Sequence, residues 1–133
     1  MQITRQADYA VRAIMYLAQI GSEKKAATSQ IAEEQDIPLS FLAKIIAQLS
    51  VAGLLQTMRG ARGGVALARN PDDISLLEVV EAIDGPIKLN ICVNGSYECQ
   101  IKDCPLRGVW IDAQEDLVDR LKSTTFGQYI NGK

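Results

Sequence analysis

At 133 residues, 47% of them apolar and 23% charged, the chain suits a single domain that buries about 65–70% of its unfolded surface, so folding needs no disulfide or metal staple. It shows no secretory-type leader and no apolar run near the ~20 residues of a membrane-spanning helix, so we expect a cytoplasmic protein with reduced thiols and no membrane partner. The net charge of −2 hides a division: residues 1–70 hold eight Lys/Arg against five Asp/Glu (+3), residues 71–133 hold six against eleven (−5), and no acid lies between Pro38 and Asn70. A basic, acid-free span on an otherwise acidic chain suits a nucleic-acid contact, although four bases alone also suit an ordinary solvated face.

In chain order, a first helix is expected from an N-cap at Thr4 to a stop at Gly21. Its apolar residues (Tyr9, Val11, Ile14, Met15, Tyr16, Leu17 and Ile20) nearly encircle it, so it needs cover on both sides, from a second subunit if not from its own chain. Thr28 and Ser29 offer the N-cap of a short second helix. Asp36-Ile37-Pro38 makes a turn, because a residue before proline avoids helical geometry. A third helix runs to about Ser50 with Leu42, Ile45, Ile46 and Leu49 on its buried face and Ser40, Ala43, Lys44, Ala47 and Gln48 opposite. Short helix, tight turn and a second helix with a slim polar face form a helix-turn-helix, and the alanines keep that face thin enough for a major groove. A plain helical hairpin is the rival reading.

Two short strands follow, Leu54–Met58 and Gly64–Ala68, joined by the basic glycine-rich tip Arg59-Gly60-Ala61-Arg62-Gly63. This reads as a wing; a phosphate-binding enzyme loop would need a Gly-Lys-Ser/Thr ending with a helix directly behind it, and neither is there. Ile74 to Gly85 is a signposted helix: Ser75 and Glu78 make a capping box, Ile74 and Val79 a hydrophobic staple, and Leu76, Val79, Val80 and Ile83 a buried stripe. The last helix is expected from near Asp103, with Pro105 in its first turn and an apolar seam of Leu106, Trp110, Ala113, Leu117 and Leu121 suited to pairing with its own copy.

Between the last two helices lies a long irregular stretch, and Cys92, Cys99 and Cys104 fall within thirteen residues there. The chain has no other cysteine and no histidine. An odd number cannot be consumed by internal disulfides, and a three-cysteine, one-histidine zinc site is impossible within the protomer. A soft metal or metal–sulfide cluster with a fourth ligand of another kind remains, as does a reactive thiol set.

Several segments together resemble the Rrf-type bacterial winged-helix regulators that include IscR and NsrR. They are Thr4-Arg5-Gln6-Ala7-Asp8-Tyr9-Ala10-Val11-Arg12-Ala13, Ile37-Pro38-Leu39-Ser40-Phe41-Leu42, Ala52-Gly53-Leu54, the tip Arg59-Gly60-Ala61-Arg62-Gly63-Gly64 and the three cysteines. The likeness spans essentially the whole chain. It implies a mainly α protein with a β-hairpin wing: a winged helix-turn-helix over residues 1–72, then a helix, cluster loop and long dimerisation helix over residues 73–133, in one compact protomer. It further implies a non-enzymatic, homodimeric transcription regulator, a repressor above all, that binds a near-palindromic promoter site in double-stranded DNA.

In such a regulator an iron–sulfur cluster on Cys92, Cys99 and Cys104, four-iron favoured over two-iron, senses iron, redox or nitric-oxide status. Asp8, from the other subunit, matches the acid that NsrR-like members use as fourth ligand, although Asp8 and Arg12 are also spaced to pair on one helix. Asp103, Glu98 and a water are alternative ligands. Ser40, Phe41 and Lys44 are expected at base edges or nearby phosphates, Thr28 at a phosphate, and Arg5, Arg59 and Arg62 at backbone or minor groove. Three departures stand out. The cysteine spacing has gaps of six and four residues where IscR and NsrR commonly show five in each. Arg107 occupies the place of an IscR-type histidine, and Ala43 replaces a common recognition-helix acid. Two other readings are a winged-helix regulator with a thiol switch or zinc site, and a small iron–sulfur carrier.

Overall fold

The computed structural model describes residues 2–21, 23–61, 63–89 and 104–132. Arg62, Cys92, Cys99 and the alternative ligands Glu98 and Asp103 lie outside the described residues.

Helix α1, Arg5–Ile20, is the centre of the molecule. Thr4 caps it as expected, its hydroxyl accepting from the Ala7 N–H at 3.1 Å. Small residues set its packing: Ala7, Ala10, Ala13 and Ala18 are buried with Tyr9, Ile14 and Leu17. Alanine at these positions lets neighbouring helices approach closely. The cover that the apolar circumference demands comes from the same chain, since α1 packs on α2, α3, α4, the second wing strand and the C-terminal segment.

Helix α2, Thr28–Gln35, takes in both residues expected to cap it, with Ala27 at the N-cap and no side-chain cap. Thr28 is therefore the first helical residue and not a cap. The turn to α3, Leu39–Val51, is built by the backbone: Asp36 sits in the left-handed region at φ 53°, the Ile37 N–H donates to the Ala32 carbonyl and the Asp36 N–H to the Glu33 carbonyl. That is a Schellman closure, with Ile37 buried as its hydrophobic contact. On α3, Leu42, Ile45, Ile46 and Leu49 are buried as their spacing predicts, each burial stabilising by about 1.5–3 kcal/mol.

Strands β1, Leu55–Met58, and β2, Gly64–Leu67, pair antiparallel with Leu55 opposite Leu67 and Met58 opposite Gly64. A third element, not foreseen, joins them: Ala26 bridges Val65 through two backbone hydrogen bonds of 2.8 and 2.9 Å, tying the wing to the start of the helix-turn-helix.

Helix α4, Leu76–Asp84, has the Ser75 cap but only half of the expected capping box. Ser75 accepts from the Glu78 N–H, whereas the Glu78 carboxylate turns to Arg69. A carboxylate gains more from a guanidinium than from one more backbone N–H. Ile74 and Val79 are both fully buried, as a staple requires. Leu77, absent from the expected stripe, is also buried, in a small second core with Val80 and Ile87, while Leu76 and Ile83 are only partly covered.

Helix α5, Arg107–Ser123, starts later than the seam predicts; Pro105 and Leu106 form the turn before it. None of its residues is fully buried. Its inner side, with Leu117, Val118 and Leu121, packs on α4, and Leu106, Val109, Trp110 and Ile111 remain exposed. Past α5 the chain returns: Ser75 and Thr125 form a bridge, and Phe126, 4% exposed, enters the main core beside α1. The main core thus joins residues from Tyr9 to Phe126.

Candidate nucleic-acid interface and cysteine site

The candidate recognition surface is the open face of α3. Ser40, Ala43, Lys44, Ala47 and Gln48 are all exposed, and Phe41 projects with 45% of its surface accessible. The first turn of α3 holds no acid, and Pro38 at its N-cap offers no side chain to the free N–H groups. The α2 N-terminus is likewise acid-free and without a side-chain cap, with Thr28 half-buried at its first position. Both helix dipoles therefore present their positive ends to solvent, the arrangement that draws phosphate oxygens.

The N-terminus of α1 adjoins this surface. Thr4 and Gln6 share a groove with Phe41, Lys44, Gln48 and Asp84, and Arg5 is exposed at the first position of α1. This arrangement is held from α4: the Asp84 carboxylate accepts from the Thr4 N–H at 3.2 Å and from the Thr4 hydroxyl. An acid at the last residue of a helix opposes its own dipole, and here the N-terminus of α1 offsets that cost. Asp84 is a site residue the sequence reading passed over, and its acidic position at a helix end was the available signal.

At the wing, Arg59 is exposed at the end of β1. Glycine is obligatory at two places in the tip: Gly60 has φ 100°, and a Cβ on Gly63 would stand 2.2 Å from the Met58 carbonyl oxygen. The hairpin thereby carries its arginine on a backbone narrow enough to approach a groove.

Asp8 pairs with Arg12 one turn along α1, at 2.6 Å with both side chains about half exposed. Arg12 does more than pair. It donates to the Gln35 carbonyl at the end of α2 at 3.3 Å and lies 5.2 Å from the centre of the Tyr9 ring. An exposed i, i+4 ion pair stabilises by less than ~1 kcal/mol, so the Asp8 carboxylate remains open to exchange for a stronger partner.

Of the three cysteines the structure describes Cys104, a partly exposed free thiol in the turn before α5, whose carbonyl accepts from the Arg107 N–H at 3.2 Å. The donor set fits a sulfide-bridged iron centre by its chemistry: soft sulfur donors, no histidine, and a partly exposed cysteine in irregular backbone. Among the described residues no three Cys, Asp or Glu side chains gather as metal ligands, and no helix is long and apolar enough to cross a membrane.

A helix-turn-helix followed by a glycine-tipped hairpin defines a winged-helix regulator of the DNA-binding kind. The profile of the Rrf2 family, described as iron-dependent transcriptional regulators, matches residues 3–132. The chain is 31% identical over 134 residues to the HTH-type regulator IscR of Pectobacterium atrosepticum, covering 100% of this chain and 81% of that protein. It is 33% identical over 115 residues to NsrR of Shouchella clausii, covering 85% and 77%. Among solved structures, CymR, the global cysteine regulator of B. subtilis, superposes with a TM-score of 0.81 at 25% identity, covering 98% and 99%. The chain belongs to the Rrf2 family of transcription regulators and is not an enzyme.

Proposed function

We propose that promoter binding by this regulator is set by an iron–sulfur cluster, four-iron favoured, held by Cys92, Cys99 and Cys104 of one protomer and Asp8 of the partner subunit. The observation that carries this reading is the donor set itself: every cysteine of the chain lies in the one segment that ends at α5, with no histidine to complete a three-cysteine, one-histidine zinc site. A bound cluster with one carboxylate ligand supplies an iron that oxidants and nitric oxide reach readily, a hard ligand being more easily displaced than a thiolate. Asp8 contributes from α1, the helix that also carries Arg5, and Thr4 and Asp84 hold its start beside the recognition face. A change of partner at Asp8 therefore acts within one rigid helix on the groups that meet DNA.

On DNA, Ser40, Phe41 and Lys44 reach base edges and adjoining phosphates, and the α2 N-terminus at Thr28 binds a phosphate. Arg5, Arg59 and Arg62 contact backbone or minor groove. The exposed apolar residues of α5 support pairing with a second copy, and a two-fold pair of recognition helices suits a near-palindromic site with half-sites about one helical turn or more apart. A cytoplasmic location follows from this role and from the need to keep the thiols reduced.

A second reading, in which the cysteines work as a thiol switch without a cluster, draws on Cys104, a free and partly exposed cysteine. Anaerobic promoter titrations of wild type and Cys104→Ser separate the two. A brown wild type whose DNA affinity differs from that of the colourless variant supports the cluster. Equal affinities, together with a wild type that responds to a thiol oxidant while holding no iron, support the switch.

A further inference from the structure

Three backbone groups in the stem that leads out of α4 are satisfied by side chains from two helices. The Ile87 N–H donates to the Glu81 carboxylate of α4 at 3.2 Å, the Leu89 N–H donates to Oε1 of Gln114 on α5 at 2.9 Å, and Nε2 of Gln114 donates to the Ile87 carbonyl. One amide thus grips a carbonyl and an N–H two residues apart, as a peptide unit of a neighbouring strand would. A side-chain amide carries the donor and the acceptor on separate atoms of one plane, as this grip needs. The Ile87 side chain is 5% exposed, seated against Leu77 and Val80 with Leu117, Val118 and Leu121 of α5 beside it.

We propose that Gln114 is a positioning residue for the cysteine ligands: it fixes to α5 the stem that ends at Leu89, three residues before Cys92, while the first turn of α5 follows Cys104. Both ends of the ligand-bearing segment are then referred to one rigid rod. Gln114 stands seven residues beyond Arg107, about 10 Å along the helix axis. Fixing both ends in advance removes part of the entropy cost of gathering three thiolates on one centre. The inference rests on the cluster reading for its physiological meaning, but the geometric claim concerns the thiols themselves. The Gln114 amide ties this stem to α5, and the Glu81 carboxylate ties the same stem to α4, which packs on α1.

The test uses full-length, metal-free protein with Gln114→Met, which keeps length and loses both hydrogen bonds, and Gln114→Glu, which keeps the acceptor and loses the donor. Gln128→Met serves as a control elsewhere on the surface. Cadmium ion alone is the probe, read by its thiolate absorption, together with amide exchange at Leu89 and cluster loss in air. We expect both Gln114 variants to weaken cadmium binding and to hasten cluster loss by roughly 10-fold, in the range seen when an outer partner of a metal ligand is removed. Leu89 exchange should accelerate, with the control unchanged. Faster exchange at Leu89 with unaltered cadmium affinity would overturn the positioning role and leave the cluster reading standing. Conversely, a wild type that binds cadmium tightly in a Gln114-dependent way yet takes up no iron and sulfide would sink the cluster reading and leave the positioning role standing.

Discussion

Replacing Thr4 by valine removes a hydroxyl without changing shape, and the structure assigns that hydroxyl two duties. It caps α1 by accepting from the Ala7 N–H, and it donates to Asp84 across the α1–α4 contact. Loss of an N-cap costs about 1 kcal/mol. A hydroxyl–carboxylate bond contributes as much again when dry, but Asp84 is exposed and water takes over most of it, leaving about 0.5 kcal/mol. Thr4→Val should therefore destabilise by about 1.5 kcal/mol, or about 5 °C in Tm for a chain of this length. Asp84→Asn should cost far less, because the charge it removes is favourable at the start of α1 and unfavourable at the end of its own α4, and the two dipole terms oppose. Urea denaturation of metal-free protein at fixed protomer concentration measures both. A Thr4→Val variant as stable as wild type, or an Asp84→Asn variant as damaged as Thr4→Val, would refute the shared-cap account.

Four further outcomes are expected. Arg59→Ala should weaken promoter binding and reduce the slope of log K against log salt by about 0.9, the share of a single neutralised phosphate; an unchanged slope in fluorescence anisotropy titrations counts against a phosphate partner for Arg59. Asp36→Gly should stabilise by about 0.5–1 kcal/mol in thermal unfolding, since glycine relieves a left-handed φ and the change removes a negative charge from the end of α2; a loss of stability would contradict this. Phe126→Ala should cost about 3–4 kcal/mol in chemical denaturation, because the ring lies in the main core, and a surface-like change below ~1 kcal/mol would place the C-terminal segment elsewhere. Asp8→Ala should speed loss of cluster absorbance in air or nitric oxide, and unchanged decay would remove Asp8 from the ligand set.

On α3 and at three element boundaries the periodic and cap-forming chemistry of the sequence survives in the structure. The i, i+3, i+4, i+7 spacing on α3 named its four buried residues, and Thr4, Ser75 and the glycine-rich wing tip marked real boundaries. Contacts without period escaped it. Ala26 meets Val65 as a single bridged pair, and Phe126 reaches the core only because the chain reverses after α5. The capping-box pattern at Ser75 and Glu78 could not reveal that Arg69, close in space, would take the carboxylate. Thr28 has the residue type of a cap, yet the helix starts on it because Ala27 adopts the extended backbone before it. The seam on α5 was legible as apolar, but much of it faces outward, where composition alone does not say what covers it. Gln114 left one trace: it is the only uncharged polar residue of α5 before Ser123.

The central claim is that three thiolates hold an inorganic cluster, and an anaerobic native mass spectrum of the full-length protein tests it most directly. The account predicts a dimer carrying one iron–sulfide cluster per protomer, absent from a Cys104→Ser variant while the dimer persists. A wild-type spectrum at the bare polypeptide mass, from material never exposed to oxygen, would contradict it.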